Sequence, residues 1–242
     1  MDEITQFLNE LSSRQSYNFR PKIACDSTNT VLLWCEGFPL FDHPHREDTM
    51  AVIRSFIAID LPKHIQDPLD QVIQEFQAQN PHSAVRWVPA RNIHLTLKFL
   101  GEVSSNNLEL LTKILQAEIP RHRCFEIKVG TLGAFPSIHR PRVIWIGVEA
   151  PADLMSLQRS IEAETTRLGY APEERPFSAH LTLGRVSHNA SPDEVRVIGE
   201  MLKGCTVGQL GATTVERVRL FRSDLEPGGA IYTPLYTFPL AH

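Results

Sequence analysis

The chain contains the same four-residue string twice, first as His94-Leu95-Thr96-Leu97 and again as His180-Leu181-Thr182-Leu183. The string alternates polar and apolar residues, which is the pattern of a β-strand with one buried face. Because successive side chains on a strand point to opposite faces, the histidine and the threonine share one face and the leucines share the other. Each copy therefore predicts a strand that buries two leucines and presents an imidazole and a hydroxyl.

Two imidazoles on facing strands are suited to acid–base chemistry. The ordinary pKa of histidine, about 6.5, lets the ring take up or release a proton around neutral pH. One neutral ring can accept a proton from water while a protonated ring delivers one to a leaving oxygen. This division of labour allows cleavage of a phosphate ester with no metal and no cofactor, and Thr96 and Thr182 could donate hydrogen bonds to the phosphate oxygens. A single His-x-Thr on a strand is usually only a polar face, but two identical copies favour a paired site at His94 and His180.

The composition of the 242 residues is that of a soluble globular protein, with 42% hydrophobic and 21% charged residues. No apolar run approaches the ~20 residues of a membrane span, and the N-terminus lacks the apolar core of a signal peptide. The four cysteines are scattered with no C-x-x-C pair, which favours free thiols in a reducing compartment. We therefore expect a cytoplasmic protein with no membrane partner. The formal net charge of −4 argues against a protein that coats a nucleic-acid duplex.

The remaining pattern predicts an α+β fold with antiparallel sheets. Several strands follow one another without an intervening helix, which argues against a regular βαβ order. Strands are expected at 52–61, 85–88, 93–100, 124–131, 143–148, 178–186, 213–221 and 231–238. Helices are expected around 69–76, after Asn106 as an N-cap with Glu109 as capping-box partner, over 152–168, and after Ser191 with Pro192 at the first helical position. The repeated motif suggests a duplication into two lobes, each contributing one motif strand to an active-site cleft between them.

The orderly pattern of strands and helices starts at Met50. Residues 50–242 are predicted to form the domain that carries the chemistry. Residues 1–49 are predicted to be an N-terminal extension of unknown role, and the sequence leaves its degree of order open.

A series of stretches on both sides of the repeat carries a resemblance to a known family. They are residues 54–62, 94–101, 133–136, 141–147, 175–177, 180–185, 221–223, Tyr232 and 238–240. In this order they resemble the 2H (two-histidine) phosphoesterase superfamily, and within it the RNA 2′,3′-cyclic phosphodiesterases of the LigT-like or ThpR type. The resemblance covers essentially everything from about Met50 to the C-terminus.

The resemblance implies a bilobal fold in which the two histidines meet in a cleft with no metal and no cofactor. It implies hydrolysis of a 2′,3′-cyclic phosphate on an RNA 3′ end or a nucleotide, breaking the P–O3′ bond to leave a 2′-phosphate. By position, His94 would protonate the departing O3′ and His180 would activate water. Thr96 and Thr182 would hold phosphate oxygens. We expect the protein to be a monomer.

Two further residues gain a role from the resemblance. Phe99 matches the family position that stacks on the nucleobase, and Arg185 matches a basic residue near the phosphate. Each lies five positions after its histidine, so a regular strand would turn it to the opposite face. Both assignments therefore require the strand to end, twist or bulge, which Gly101 and Gly184 make feasible. On a regular strand, Phe99 would instead be a core aromatic residue and Arg185 a partner in a surface ion pair.

Two other functions are compatible with the same residues. One is RNA ligation, the near reversal of ring opening, which joins a cyclic phosphate end to a 5′-hydroxyl through a 2′–5′ linkage. The other is a non-enzymatic nucleotide- or RNA-end-binding module whose histidines only hydrogen-bond phosphate. Ring opening of a cyclic-phosphate nucleotide in the presence of a chelator would distinguish an enzyme from a binding module.

Overall fold

The structure is a computed structural model that describes residues 22–25, 31–34, 52–80, 84–226 and 229–242. The chain divides into two units, Met1–Thr49 and Met50–His242. In the first unit β1 (Lys22–Cys25) pairs antiparallel with β2 (Val31–Trp34). Most of the predicted N-terminal extension lies outside the described residues.

In the described part of the second unit, nine strands form one antiparallel sheet around which the helices pack. The strands are β3 (Val52–Asp60), β4 (Val85–Trp87), β5 (His94–Ser104), β6 (Phe125–Phe135), β7 (Val143–Glu149), β8 (His180–Val186), β9 (Gln209–Val215), β10 (Arg217–Glu226) and β11 (Gly229–Pro239). The helices are α1 (Lys63–Gln79), α2 (Ser105–Glu118), α3 (Ala152–Arg167) and α4 (Pro192–Gly204). Among the helices that the structure describes, none is both long and apolar enough to cross a membrane. The prediction of an α+β fold with an antiparallel sheet is confirmed.

The two motif strands are the central neighbours of this sheet. Its order is β11-β10-β3-β5-β8-β7-β6-β9, with β4 paired to β8 beside this path. Four strands of this path thus lie on each side of the seam between β5 and β8. At the seam Leu95 and Leu181 are the one directly bridged pair, while β5 continues along β3 and β8 continues along β4 and β7. The sheet therefore consists of two halves joined at a short seam, which is the bilobal, duplicated arrangement that the repeat predicts.

The leucines of both motifs belong to the main hydrophobic core. Leu95, Leu97, Leu181 and Leu183 are at most 3% exposed and pack in one cluster with the buried side of the helices. Burial of a leucine side chain contributes about 1.5–3 kcal/mol. A slip of either strand by one residue would turn its leucines to the opposite face. Core burial thus fixes the direction in which the motif histidines point.

The core side of β5 also carries one charged residue, Lys98, whose side chain is 2% exposed. Its Nζ donates hydrogen bonds to Glu162 Oε1 on α3 at 2.6 Å and to the carbonyl oxygen of Ala171 at 2.7 Å. The same Glu162 oxygen accepts a hydrogen bond from the backbone N–H of Glu173 at 2.9 Å. Because Ala171 and Glu173 lie in the segment that leads to β8, Lys98 ties the first motif strand to the approach of the second.

The starts of two helices test the capping predictions. In α4, Ser191 Oγ accepts a hydrogen bond from the Glu194 backbone N–H at 3.2 Å, and the Glu194 carboxylate accepts one from the Ser191 N–H at 2.7 Å. The predicted start at Ser191 with Pro192 as the first helical residue is confirmed, and the two hydrogen bonds form a capping box. In α2 the predicted N-cap is wrong, because Ser104 rather than Asn106 occupies that position and accepts a hydrogen bond from the Asn107 N–H at 3.4 Å. Since β5 runs directly into α2, its last residue already has the extended conformation of an N-cap.

The single strand predicted at 213–221 is also wrong, because two strands occupy this stretch. β9 ends at Val215 and pairs with β6, whereas β10 begins at Arg217 and pairs with β3. The chain passes from one half of the sheet to the other at Glu216. No glycine or proline marks this change of partner, so the sequence pattern reads as continuous.

Candidate active site

The two motif strands present their side chains in the same way. Residues 94–100 and residues 180–186 have the same order of buried and exposed positions, with buried leucines and half-buried His94, Thr96, His180 and Thr182. The four polar side chains therefore lie on the sheet face that turns away from the leucine core.

The antiparallel seam brings the two motifs face to face. Because the strands are antiparallel, one step to either side of the bridged leucines places His94 across from Thr182 and Thr96 across from His180. Diagonal neighbours on one face of a regular antiparallel pair are separated by about 7–8 Å. The two histidines are such diagonal neighbours, so a group of the size of a phosphate fits between them. Each histidine thus lies across the seam from the threonine of the other motif.

Both histidines use the same ring nitrogen to hydrogen-bond the backbone. Nδ1 of His94 lies 2.8 Å from the carbonyl oxygen of Asn92, and Nδ1 of His180 lies 2.7 Å from the carbonyl oxygen of Ser178. Because a carbonyl oxygen only accepts, Nδ1 carries the proton in each neutral ring. Nε2 is then the nitrogen through which each ring can exchange a proton with a ligand.

His94 is surrounded by aromatic rings. Phe56 stacks on it with ring centroids 4.6 Å apart, and Tyr232 meets it edge-on at 5.1 Å. Ala58 follows Phe56 on the same face of β3 and packs in one buried cluster with Phe56 and Phe221, and the next residue on this face is the one opposite His94. That opposite residue is Asp60, whose carboxylate is held by two arginines of β10 at 3.4 and 3.5 Å.

This environment changes the protonation of His94. Burial of the ring lowers the pKa of His94 to about 4, with the Asn92 hydrogen bond raising the pKa and the positive charge of Arg185 lowering it further. In the ligand-free protein His94 is therefore neutral at neutral pH.

His180 has a different set of neighbours. Phe135 meets it edge-on with ring centroids 5.0 Å apart, and Trp145 lies at 6.3 Å. Trp145 is opposite Thr182 on β7, and its indole covers Gly133 so closely that a Cβ there would overlap the ring. The two histidines thus share a hydrogen-bonding pattern but not an environment.

Phe99 lies on the same face as His94 because β5 contains a bulge. Opposite β3, Thr96 pairs with Ala58 and Lys98 pairs with Ile57, which leaves Leu97 as the extra residue. The bulge reverses the alternation beyond it. Phe99 is 60% exposed on the cleft face, so it is not a core residue.

Arg185 reaches the same face through a matching bulge in β8. Opposite β7, Thr182 pairs with Trp145 and Gly184 pairs with Ile144, which leaves Leu183 as the extra residue. A Cβ at Gly184 would lie 2.8 Å from a side-chain carbon of β4, so any larger residue would force the neighbouring side chains to shift. Arg185 is exposed, and its charge acts on His94. The bulges that both assignments require are therefore present.

A hollow of about 520 Å³ lies over the part of the sheet next to His180, where Ser178, Ala179 and Gly147 are among the lining residues. Gly147 is opposite His180 and Gly130 is opposite Gly147 on β6, so neither of these two positions carries a side chain. Trp145 and Lys128 are among the lining residues. Opposite His94, the position that corresponds to Gly147 is occupied by Asp60, whose carboxylate is paired with two arginines.

Several residues that contact the histidines were not assigned any role from the sequence. The aromatic residues Phe56, Tyr232, Phe135 and Trp145 lie on other strands, and their proximity depends on the strand order. Asn92 acts through its backbone carbonyl, for which no side-chain pattern is a signal. Within the described residues, no three His, Cys, Asp or Glu side chains cluster as a set of metal ligands.

Comparison with known proteins places the two motifs in two matched segments. The family model described as LigT like phosphoesterase matches the chain twice, over residues 59–145 and 146–232. An RNA 2′,3′-cyclic phosphodiesterase of Methanothermobacter thermautotrophicus is 33% identical over 189 residues, which cover 78% of this chain and 99% of the relative. An RNA 2′,3′-cyclic phosphodiesterase of Escherichia coli K12 is 32% identical over 188 residues, which cover 77% and 96%.

Solved structures show the same similarity in three dimensions. A crystal structure of a phosphoesterase matches with a TM-score of 0.63 at 29% identity and covers 79% of this chain and 100% of the other. The crystal structure of E. coli LigT complexed with 3′-AMP matches with a TM-score of 0.63 at 28% identity and the same coverage.

Proposed function

The chain belongs to the LigT-like phosphoesterase family, and we propose that it hydrolyses the 2′,3′-cyclic phosphate at RNA 3′ ends to a 2′-phosphate. The relatives named above are RNA 2′,3′-cyclic phosphodiesterases, and LigT of E. coli binds 3′-AMP in its crystal structure. A nucleotide or RNA end is therefore the substrate class. The observation that carries the proposal is the crossed pairing of His94 with Thr182 and of His180 with Thr96.

The proposed reaction uses one nitrogen of each histidine. The cyclic phosphate accepts hydrogen bonds from Thr96 and Thr182. Nε2 of His180 takes a proton from water as the water oxygen bonds to phosphorus, the P–O3′ bond breaks, and Nε2 of His94 gives its proton to O3′. The product carries a 2′-phosphate and a free 3′-hydroxyl. Exchange with solvent returns a proton to His94 and removes one from His180.

His94 has to gain its proton when the substrate binds. It is neutral in the ligand-free site because burial holds its pKa at about 4. The negative charge of a bound phosphate next to the ring favours the imidazolium and raises this pKa. The acid role of His94 is therefore created by the substrate.

Phe99 and Arg185 extend the site on both sides of the histidines. The exposed ring of Phe99 offers a stacking surface to the terminal base, for which stacking contributes about 1–3 kcal/mol. The guanidinium of Arg185 lies close enough to His94 for its charge to affect the ring, so it can also attract the phosphate.

The decisive experiment is incubation of a nucleoside 2′,3′-cyclic phosphate with the protein in excess EDTA. We expect ring opening to the 2′-phosphate alone, with most of the turnover lost in His94→Ala and in His180→Ala. Activity that requires added zinc or magnesium would contradict the two-histidine mechanism. Binding without ring opening would make the protein a nucleotide-binding module.

The hollow beside His180 favours a second candidate function, RNA ligation. In phosphoryl transfer the attacking and leaving oxygens are roughly in line. If His94 protonates the leaving oxygen, the nucleophile activated by His180 approaches from the side away from His94, which is the side of the hollow. With about 520 Å³, this space admits a nucleoside hydroxyl as well as water. An oligonucleotide with a 5′-hydroxyl, added to the hydrolysis assay, should then yield a 2′–5′ linked product. Gln209→Trp, at the rim of the hollow, should reduce ligation while hydrolysis continues.

A further inference from the structure

The hairpin formed by β10 and β11 is attached to the residue that orients His94. Asn92 ends the short 3₁₀ turn Ala90–Asn92 that precedes β5. Its side-chain Nδ2 donates a hydrogen bond to the carbonyl oxygen of Ala230 on β11 at 3.2 Å. Its backbone carbonyl accepts the hydrogen bond from Nδ1 of His94 at 2.8 Å. Two hydrogen bonds through one residue thus connect the hairpin to the imidazole.

Tyr232, two residues further along β11, provides a second contact. Its ring meets the His94 ring at 90°, while Phe56 stacks on His94 at 25°. Phe56 is 3% exposed and is itself stacked on Phe221 of β10 with ring centroids 5.2 Å apart. Rotation of the imidazole about its bond to the chain would bring it against one of these rings.

We propose that the β10–β11 hairpin positions His94 and that Asn92 and Tyr232 are its positioning residues. The Asn92 carbonyl holds the proton on Nδ1, and the edge of Tyr232 limits rotation of the ring. Together they aim Nε2 at the scissile phosphate. Only the kinetic consequence rests on the proposed function, because the ring is oriented with or without a substrate.

The same hairpin offers a matched control on its other face. Arg222 Nε donates a hydrogen bond to Asp224 Oδ1 at 2.8 Å within β10. Strand alternation puts both residues on the face opposite to Phe221 and Tyr232. Arg222→Gln therefore changes a side-chain contact of the hairpin without removing a contact to His94.

The kinetic test compares four variants with the wild-type protein. Asn92→Ala keeps the backbone carbonyl but removes the side-chain hydrogen bond to Ala230. Tyr232→Leu removes the aromatic ring that contacts His94. Each should lower kcat by ~10–100-fold and change KM by less than about threefold, since misplacement of a catalytic group by ~1 Å can cost about 10²-fold in rate. Tyr232→Phe keeps the ring edge and should retain nearly full activity, as should Arg222→Gln. Thermal unfolding of each variant checks that it is folded.

NMR of the His94 ring gives a readout that does not depend on turnover. The ¹⁵N shifts should show Nδ1–H in the wild-type protein and a mixture of tautomers in Asn92→Ala. Water reaching the ring should raise the pKa of His94 from about 4 toward about 6.5 in Asn92→Ala and Tyr232→Leu, but not in Arg222→Gln. The charged neighbours Arg185 and Asp60 are the same in all variants.

Three results would overturn the inference. The first is an unchanged kcat and ring pKa in both Asn92→Ala and Tyr232→Leu. The second is an equal loss in Arg222→Gln, which would reduce the effect to hairpin stability. The third is an equal loss in Tyr232→Phe, which would assign the phenol hydroxyl to substrate binding. If the wild-type protein fails to open a cyclic phosphate, the proposed function falls while the NMR data still decide the positioning of His94.

Discussion

At the scale of single residues, the two histidines differ in what surrounds them and not in how they are held. Both use Nδ1 to bond a backbone carbonyl two residues earlier, which leaves Nε2 available. His94 lies among aromatic rings and has a lowered pKa, whereas His180 adjoins a hollow with a glycine floor. Unequal surroundings are what an acid and a base need if they are to act in one reaction.

The division of roles can be tested with the leaving group. A nitrophenyl phosphodiester releases an oxygen that needs no proton, so it should restore turnover in His94→Ala but not in His180→Ala. With a cyclic nucleotide, each variant should lose ~10²–10⁴-fold or more in kcat, the range of general acid–base contributions. Recovery of His180→Ala instead would reverse the roles. Binding of a 2′-nucleotide, measured by calorimetry, should survive in both variants.

The lowered pKa of His94 also predicts how stability depends on pH. The ring titrates near about 6.5 in the unfolded chain and at about 4 in the folded protein. Between these values the unfolded state binds a proton that the folded state does not, so the free energy of unfolding falls as pH falls from about 6.5 to about 4. Above that window His94 makes no difference to the pH dependence.

This loss is on the order of 2–3 kcal/mol at pH ~4.5 by linkage, and urea unfolding can measure it. We expect His94→Gln to gain stability relative to the wild-type protein when the pH is lowered from ~7 to ~4.5, because it lacks the proton penalty. If the free energy of unfolding changed equally with pH in the two proteins across this range, the His94 ring would not be protected from water.

At the scale of elements, the two motif strands depend on each other through Lys98. Removing one partner of a buried ion pair typically costs about 3–5 kcal/mol. We expect Lys98→Met to lose up to about that much in the free energy of unfolding, and Glu162→Gln introduced into that variant to recover part of the loss. Urea unfolding of the single and double variants measures both effects. The exposed pair of Lys63 and Asp67 on α1 is a control, since water screens it and its removal should leave the free energy of unfolding nearly unchanged.

The same scale shows how far the sequence predicts the site. The alternation of the motif predicts both strands and their faces, because leucine burial alone decides the faces. The pairing of His94 with Thr182 could not be predicted, since it depends on strands whose motifs begin 86 residues apart (180 minus 94). The bulges at Leu97 and Leu183 are set by the neighbouring strands, so local residues only allow them. The link between Asn92 and the hairpin depends on the carbonyl of Ala230, which is 138 residues away in the sequence.

At the scale of the whole molecule, the unit Met50–His242 contains every residue assigned to the site. We therefore expect a protein that starts at Met50 to fold and to turn over a cyclic nucleotide at the rate of the full chain. Comparison of kcat, KM and thermal unfolding between the two proteins checks this. An insoluble or inactive truncation would mean that residues 1–49 contribute to the fold, which would move the predicted domain boundary.

The crossed pairing of histidines and threonines has a consequence for how such a site can arise. Each copy of the motif contributes one histidine and one threonine, and both are paired with residues of the other copy. Half of this sheet on its own therefore contains no complete histidine–threonine pair. Two separate identical chains could complete the pairs as a homodimer, but the two-fold axis would force both histidines into the same surroundings. Joining the copies in one polypeptide removes that constraint, because each copy can then mutate independently. Phe56 and Tyr232 beside one imidazole, and Phe135 and Trp145 beside the other, are differences that two identical chains could not accumulate.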